Sequence, residues 1–228
     1  MRFWVAILAM GVAAAANVVA QNAGNGGEST TTPKPSIVPL SWELKFESQA
    51  PQPISVPLPG QSKLRTYWYV LYKVTNQTGQ DRMFVPDFVL YTDTGKTVHG
   101  GDNVPSTVFM AIQKRHNDPL LTDHANMIGK LLQGEDNVRQ GVAIWTDIDP
   151  EVRAFDVFVG GLSGETVKVK LPSPVTVAEV NDEGKKVEVT KTEAVLSKTL
   201  EIRYSMPSEA AARFRVMPKE ISRQWVMR

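Results

Sequence analysis

The sequence predicts a mainly β domain: a two-sheet β-sandwich with a short helical insertion near residues 105–132. Three observations predict it. The densest apolar run, Leu64 to Val98, is built from aromatic, β-branched and Leu residues, which fit a pleated surface and lose χ1 freedom in a helix. Runs of alternating apolar and polar residues recur along the chain, separated by turn-forming residues, and roughly nine or ten strands of this kind suit a sandwich. Helical spacing is confined to short stretches, from Pro105 to His116 and at Met127, Ile128, Leu131 and Leu132.

Taken in order, residues 1–20 read as a secretory signal peptide. Arg2 precedes an apolar run, and Val18-Val19-Ala20 offers small residues for cleavage after Ala20; an uncleaved membrane anchor is the alternative. Residues 21–38 are rich in Gly, Asn, Thr and Pro and predict a flexible linker. The single sandwich domain then spans 39–228, with a C-terminal extension from about 207. Trp42, Leu44 and Phe46 alternate with charged residues as a first strand. Proline-rich 51–60 reads as an extended edge or loop, with a short strand at Ile54 to Val56 as an option.

The core run follows as two long strands joined by a tight turn. In the first, Trp68, Val70, Tyr72 and Val74 share one face and Tyr67, Tyr69 and Leu71 the other, which predicts a central strand covered on both sides. Asn76-Gln77-Thr78-Gly79 supplies the turn. In the second, Pro86 cannot donate to a ladder and implies a bulge or an edge. Asp93-Thr94-Gly95-Lys96 is a further hairpin signal.

Pro105 suits a first helical turn, Val108, Phe109 and Ile112 make one face, and Lys114, Arg115 and His116 complement the dipole at the end. Such an insert often covers an open end of a sandwich. Residues 120–132 fit helix or strand. Gly141 to Thr146 and Ala154 to Val159 are buried strands, with Trp145 in the core. Val167, Val169 and Leu171 alternate with lysines until Pro172-Ser173-Pro174 interrupts, the best candidate for a boundary. Asn181 to Gly184 forms a hairpin loop, with Gly184 placed for the left-handed region. Leu200, Ile202, Tyr204 and Met206 give a half-buried strand, 208–214 a short helix, and the apolar tail at Ile221, Trp225 and Val226 folds back.

Several of these residues carry a resemblance. Val74-x-Asn76-x-Thr78-Gly79, Phe84-x-Pro86-x-Phe88-x-Leu90 and Asp93-x-Gly95-Lys96 resemble exported bacterial immunoglobulin-like domains of unknown function. So do Leu132-x-Gly134-Glu135, Gly141 to Trp145 and Phe155-x-Val157-x-Val159-Gly160-Gly161-Leu162. The whole is most similar to exported proteins of planctomycete-like bacteria, over roughly residues 40 to 206. The resemblance implies an immunoglobulin-like sandwich and export to the periplasm or beyond. It transfers no catalytic residue, and fold alone does not supply function.

Composition bounds the function. The 228 residues are 42% hydrophobic and 21% charged, an ordinary globular balance. Without Arg2, 24 basic residues face 24 acidic ones, so no overall charge favours nucleic acid or anionic membranes. No later segment has the apolar length of a membrane span. The absence of cysteine excludes disulfides, thiolate metal sites and cysteine nucleophiles, and modestly favours a bacterial source.

Chemistry-bearing residues are sparse. His116 and His124 bracket Asp118 and Asp123, a set that could hold zinc, though at no compact metal-site spacing. The bland reading is a solvated loop. His99 reads as exposed. Asp147, Asp149 and Glu151, or Asp182 and Glu183, offer calcium-type oxygens; as turn carboxylates they need no metal. Ser163 sits among glycines but is offset from a nucleophile elbow. Asn76-Gln77-Thr78 matches a glycosylation pattern that a turn also explains. Lys168, Lys170, Lys185, Lys186, Lys191 and Lys198, mixed with Glu165, Glu179, Asp182, Glu183, Glu188 and Glu193, predict a soluble charged face.

These readings assign no catalytic, cofactor or metal residue. They predict an exported non-catalytic module that binds an envelope or extracellular protein or glycan, or acts structurally. The rivals are a hydrolase whose carboxylates or histidines converge only in the fold, and a metal-stabilised adhesion domain.

Overall fold

The computed structural model describes residues 32–60, 63–146, 148, 151–181, 184–207 and 216–228. The expected signal peptide, most of the linker and the expected helix at 208–214 lie outside the described residues. The protein is mainly β, in several sheets, with little helix. It divides into two compact units: a larger one of residues 34–167 and 197–228, and a smaller one that includes residues 168–196.

In the larger unit, one sheet is centred on β3 (Leu64–Asn76). The edge strands β1 (Lys45–Ser48) and β2 (Gln52–Pro57) pair with β3, as does β8 (Gly134–Thr146), all antiparallel. Proline-rich 52–57 is therefore a strand, and it sits at an edge where missing amide donors cost nothing. Trp68, Val70, Tyr72 and Val74 are buried on one face of β3, Tyr67 and Tyr69 on the other. The central, doubly covered strand read from the sequence is present.

The expected partner of β3 is not. The run after the turn splits at Pro86 into β4 (Arg82–Phe84) and β5 (Asp87–Thr92). Strand β4 pairs with β7 (Gly129–Leu131), while β5 enters another sheet between β6 (Thr97–His99) and β9 (Ala154–Gly160). The turn at 76–79 thus opens a crossover between sheets and does not close a long hairpin. Asn76 causes this: it is fully buried, its amide donates to the Gln80 and Leu131 carbonyls, and its Oδ1 accepts from Thr78. The hairpin at 93–96 forms as read, with Gly95 at φ 85°.

β9 continues to the Lys198–Ser205 half of β11 (Lys186–Ser205), and β12 (Lys219–Met227) closes that side. The apolar tail does fold back, as a full antiparallel strand carrying Trp225 onto the core. Residues of both sheets share one core, in which Tyr72 meets Phe88 at 4.7 Å and Phe155 stacks on Tyr204 at 5.4 Å between centroids. Trp145 is fully buried there. This shared core is consistent with a two-sheet sandwich.

The helical insertion is real but placed differently from the open end expected. Helix α1 (Ser106–His116) buries Val108 and Ile112 in a second cluster, against Tyr67, Tyr69, Val142 and Ile144. It covers the outer face of the β3–β8 sheet, because those two strands are apolar on both faces. Residues 120–132 hold both forms considered: α2 (His124–Met127) and then β7.

The smaller unit contains the ribbon of β10 (Thr166–Val180) and the first part of β11. Its loop closes with Asn181 N–H to Lys185 C=O at 2.9 Å and Gly184 at φ 77°. Pro172-Ser173-Pro174 does not break the strand, contrary to expectation; β10 runs through it, as an edge strand can. None of the described residues between 168 and 196 is fully buried.

Candidate functional site

The two histidines and two aspartates of the 116–124 loop do not converge. His116 ends α1, and its Nε2 lies 2.8 Å from the Tyr69 hydroxyl, which also donates to Gln52 Oε1 at 3.1 Å. Arg115 donates to the Pro53 carbonyl at 2.9 Å. Together these contacts fasten the end of α1 to β2 and β3. Burial lowers the His116 pKa, with help from the neighbouring Arg115 charge and against Asp118. Asp118 accepts from Leu120 N–H at 3.0 Å as a turn, and Asp123 caps α2 by accepting from Asn126 N–H at 2.8 Å. Among the described residues no group of three or more histidines and carboxylates could hold a metal ion. Asp147, Asp149, Asp182 and Glu183 lie outside the described residues.

The other singled-out side chains are also placed. Ser163 Oγ accepts from Glu165 N–H at 3.1 Å in a local turn, and Ser163 bridges to Glu43. His99 is exposed on β6. Asn76 is buried in its turn, a poor acceptor for a glycan.

His124 does border a cavity. A half-open hollow of about 250 Å³ is lined by Val104, Pro105, Phe109, Val142 and Ile144, with Ser106, Asp123 and His124 as polar members. This apolar hollow could seat one small side chain. The His124 Nδ1 at its border is buried without a hydrogen-bond partner.

The structure corrects the reading of two charged residues. Lys198 and Glu165 belong to no solvated face: Lys198 is 2% exposed and Glu165 9%. Lys198 Nζ pairs with Glu43 and, at 3.1 Å, with Glu165, donates to the Ser36 carbonyl at 2.9 Å, and stands 5.3 Å from the centre of the Trp225 ring. Glu165 in turn accepts from Ser36 N–H at 2.9 Å. Burial works to lower the Lys198 pKa, but hydrogen bonds and charges from Glu43 and Glu165 outweigh it and raise the pKa. The cluster is missed in sequence because Ser36, Glu43, Glu165, Lys198 and Trp225 are distant along the chain. The one available signal is that Lys198 precedes the run Leu200, Ile202, Tyr204 on the same strand face. The arrangement ties Ser36 to the middle of β11.

The ribbon retains the expected mixture of charges. Lys191 pairs with Glu179, and Thr176 meets Thr190 across the strands at 3.2 Å. It also exposes Val175, Val180, Val187 and Val195. A two-stranded ribbon without a buried face gains little stability from packing.

Comparison with protein-family models, with curated proteins and with solved structures returns no match. No helix among the described residues is long and apolar enough to cross a membrane.

Proposed function

We propose that this chain is an exported, non-catalytic sandwich of immunoglobulin-like type that binds a protein or polymer of the cell envelope or its surroundings. The observation that supports this most is the ribbon at 168–196, where β-branched residues are committed to strands yet none is buried. Exposed strand edges accept further strands, and exposed valines gain by being covered. A second support is that His116, Asp118 and Asp123 spend polar atoms on helix docking, a turn and a cap. The leader-like residues 1–20 and the absence of cysteine suit a bacterial export route.

A crosslinking pull-down tests the reading. Residues 21–228 would be incubated with envelope fractions, alongside a Val175→Glu/Val195→Glu variant. One stoichiometric protein or glycan, lost with the variant, is the expected result. Turnover of a substrate by the pure protein, abolished by a single side-chain change, would sink it. A melting temperature that falls on chelation would point instead to a metal-stabilised adhesion domain.

A further inference from the structure

Both ends of the larger unit meet on one buried side chain. At the N-terminal end, residues 34–44 form a strap laid along 162–165. Ser36 N–H donates to Glu165 Oε1 at 2.9 Å, Gly164 N–H to the Trp42 carbonyl at 3.1 Å and Leu44 N–H to the Leu162 carbonyl at 2.8 Å. The fit is close: a methyl group at Gly164 would run into the Trp42 indole and the Ser41 hydroxyl. At the C-terminal end, β12 lies along Lys198–Ser205 of β11, with Met227 opposite Lys198. Ser197 and Arg228 exchange both backbone hydrogen bonds, at 2.7 and 3.1 Å. Trp225 of β12 packs on the shared core.

Lys198 joins the two ends. Its backbone N–H donates to the Glu165 carbonyl at 2.9 Å. Its ammonium, with three N–H donors, faces the Glu43 carboxylate and the Ser36 carbonyl on the strap, and the Glu165 carboxylate in the segment under the strap. The Trp225 ring of β12 stands beside it. Such an ion pair is strong where water is kept out and worth little in solvent. The hold of Lys198 on the strap therefore depends on Trp225 staying in place. Without the ammonium, the Glu43 and Glu165 carboxylates face each other with no cation between them, and lifting the strap is their route to water.

We infer that Lys198 is a latch through which the N-terminal strap and β12 open and close together. When β12 leaves, water reaches the ion pair and the strap loosens. When the strap leaves, Lys198 loses Glu43 and Ser36, and its charge is left against Trp225 and Glu165. The coupling is reciprocal, as any coupling between two equilibria must be. Opening bares two backbone edges at once, that of 162–164 and the side of Lys198–Ser205 covered by β12. The β3–β8 pair, with Val70 opposite Ala143, takes no part in the latch and stays closed. This is local opening of the kind that leaves the rest of a domain folded.

Amide hydrogen exchange, read residue by residue by NMR, tests the latch by disturbing one end and watching the other. Gly164→Ala pushes on the strap, and the β12 amides, Arg228 included, are the readout. Trp225→Ala loosens β12, and the Leu44 and Gly164 amides are the readout. In each case exchange at the far end should rise at least about tenfold, with Val70 and Ala143 unchanged. Lys198→Met should loosen both ends, and in that background Gly164→Ala should no longer be felt at β12. If either variant loosens only its own end, the ends open independently and the inference falls. It falls equally if Lys198→Met leaves both ends as protected as in the parent. An equal rise at Val70 and Ala143 would mean that the whole unit opens, and would overturn a local latch. Should Lys198→Met fail to fold, the Gly164→Ala and Trp225→Ala variants decide the question without it.

Discussion

Replacing Gly161 by alanine tests the tightest backbone approach in the larger unit. Gly161 follows β9 at φ 80°, and a methyl group there would run into the backbone carbonyl of Val85. A carbonyl cannot rotate away as a side chain can. Gly95 is the control, since it has nearly the same φ, 85°, but nothing within 4 Å of an added methyl. Gly95→Ala should cost about 1–2 kcal/mol, the left-handed penalty alone. Gly161→Ala adds about 1–3 kcal/mol for forcing the backbones apart, for a total of about 2–5 kcal/mol. Against a domain stability of about 5–15 kcal/mol, that approaches unfolding. Urea titration followed by tryptophan fluorescence reads both, because Trp68 and Trp145 are buried in the shared core. If the two variants differ by less than about 0.5 kcal/mol, the chain at Val85 does not pass where we describe it, and the crossover from β4 to β5 is wrong.

Asn76→Ala should destabilise by about 1–3 kcal/mol, since it strands the buried Leu131 carbonyl and dissolves the turn; the same denaturation assay checks it. His116 should make stability depend on pH. Its folded pKa lies below its ordinary value of 6.5, so as pH falls through that region the unfolded chain takes up the proton first and stability declines. His116→Gln should flatten that stretch of a melting-temperature profile, and an unchanged slope would show that other groups set it.

What could be read from sequence was what is local. β3 announced its place because both of its faces carry large apolar residues, and only a central strand beneath a second layer can bury both. The turns at 93–96 and 181–184 were legible because their glycines answer a requirement of four or five residues. Pairing across the chain was not. Nothing near Tyr72 says that its strand partners are Gly141 on one side and Ser48 on the other, and the natural guess joined β3 to the next apolar run. Pro172 and Pro174 misled for the opposite reason: proline breaks a ladder only where its amide is needed. Candidate site residues divide the same way. The 116–124 loop could be singled out by composition, but its dispersal into a cap, a turn and a helix anchor is a property of the fold. Lys198 looked like any strand lysine until two distant glutamates and a serine backbone closed around it.

That closure has a consequence for the order in which the chain can assemble. Ser36 and Glu43 come early, Glu165 in the last third, and Lys198 and Trp225 near the end of the sequence. β3 must likewise wait for β8, some seventy residues on, as Val70 opposite Ala143 shows. A chain emerging from its N-terminus has long stretches with no partner yet made. Contacts so far apart slow folding, because loop closure precedes any gain from pairing. Until β12 pairs, the far edge of Lys198–Ser205 in β11 stays open and Lys198 lacks the Trp225 ring beside it.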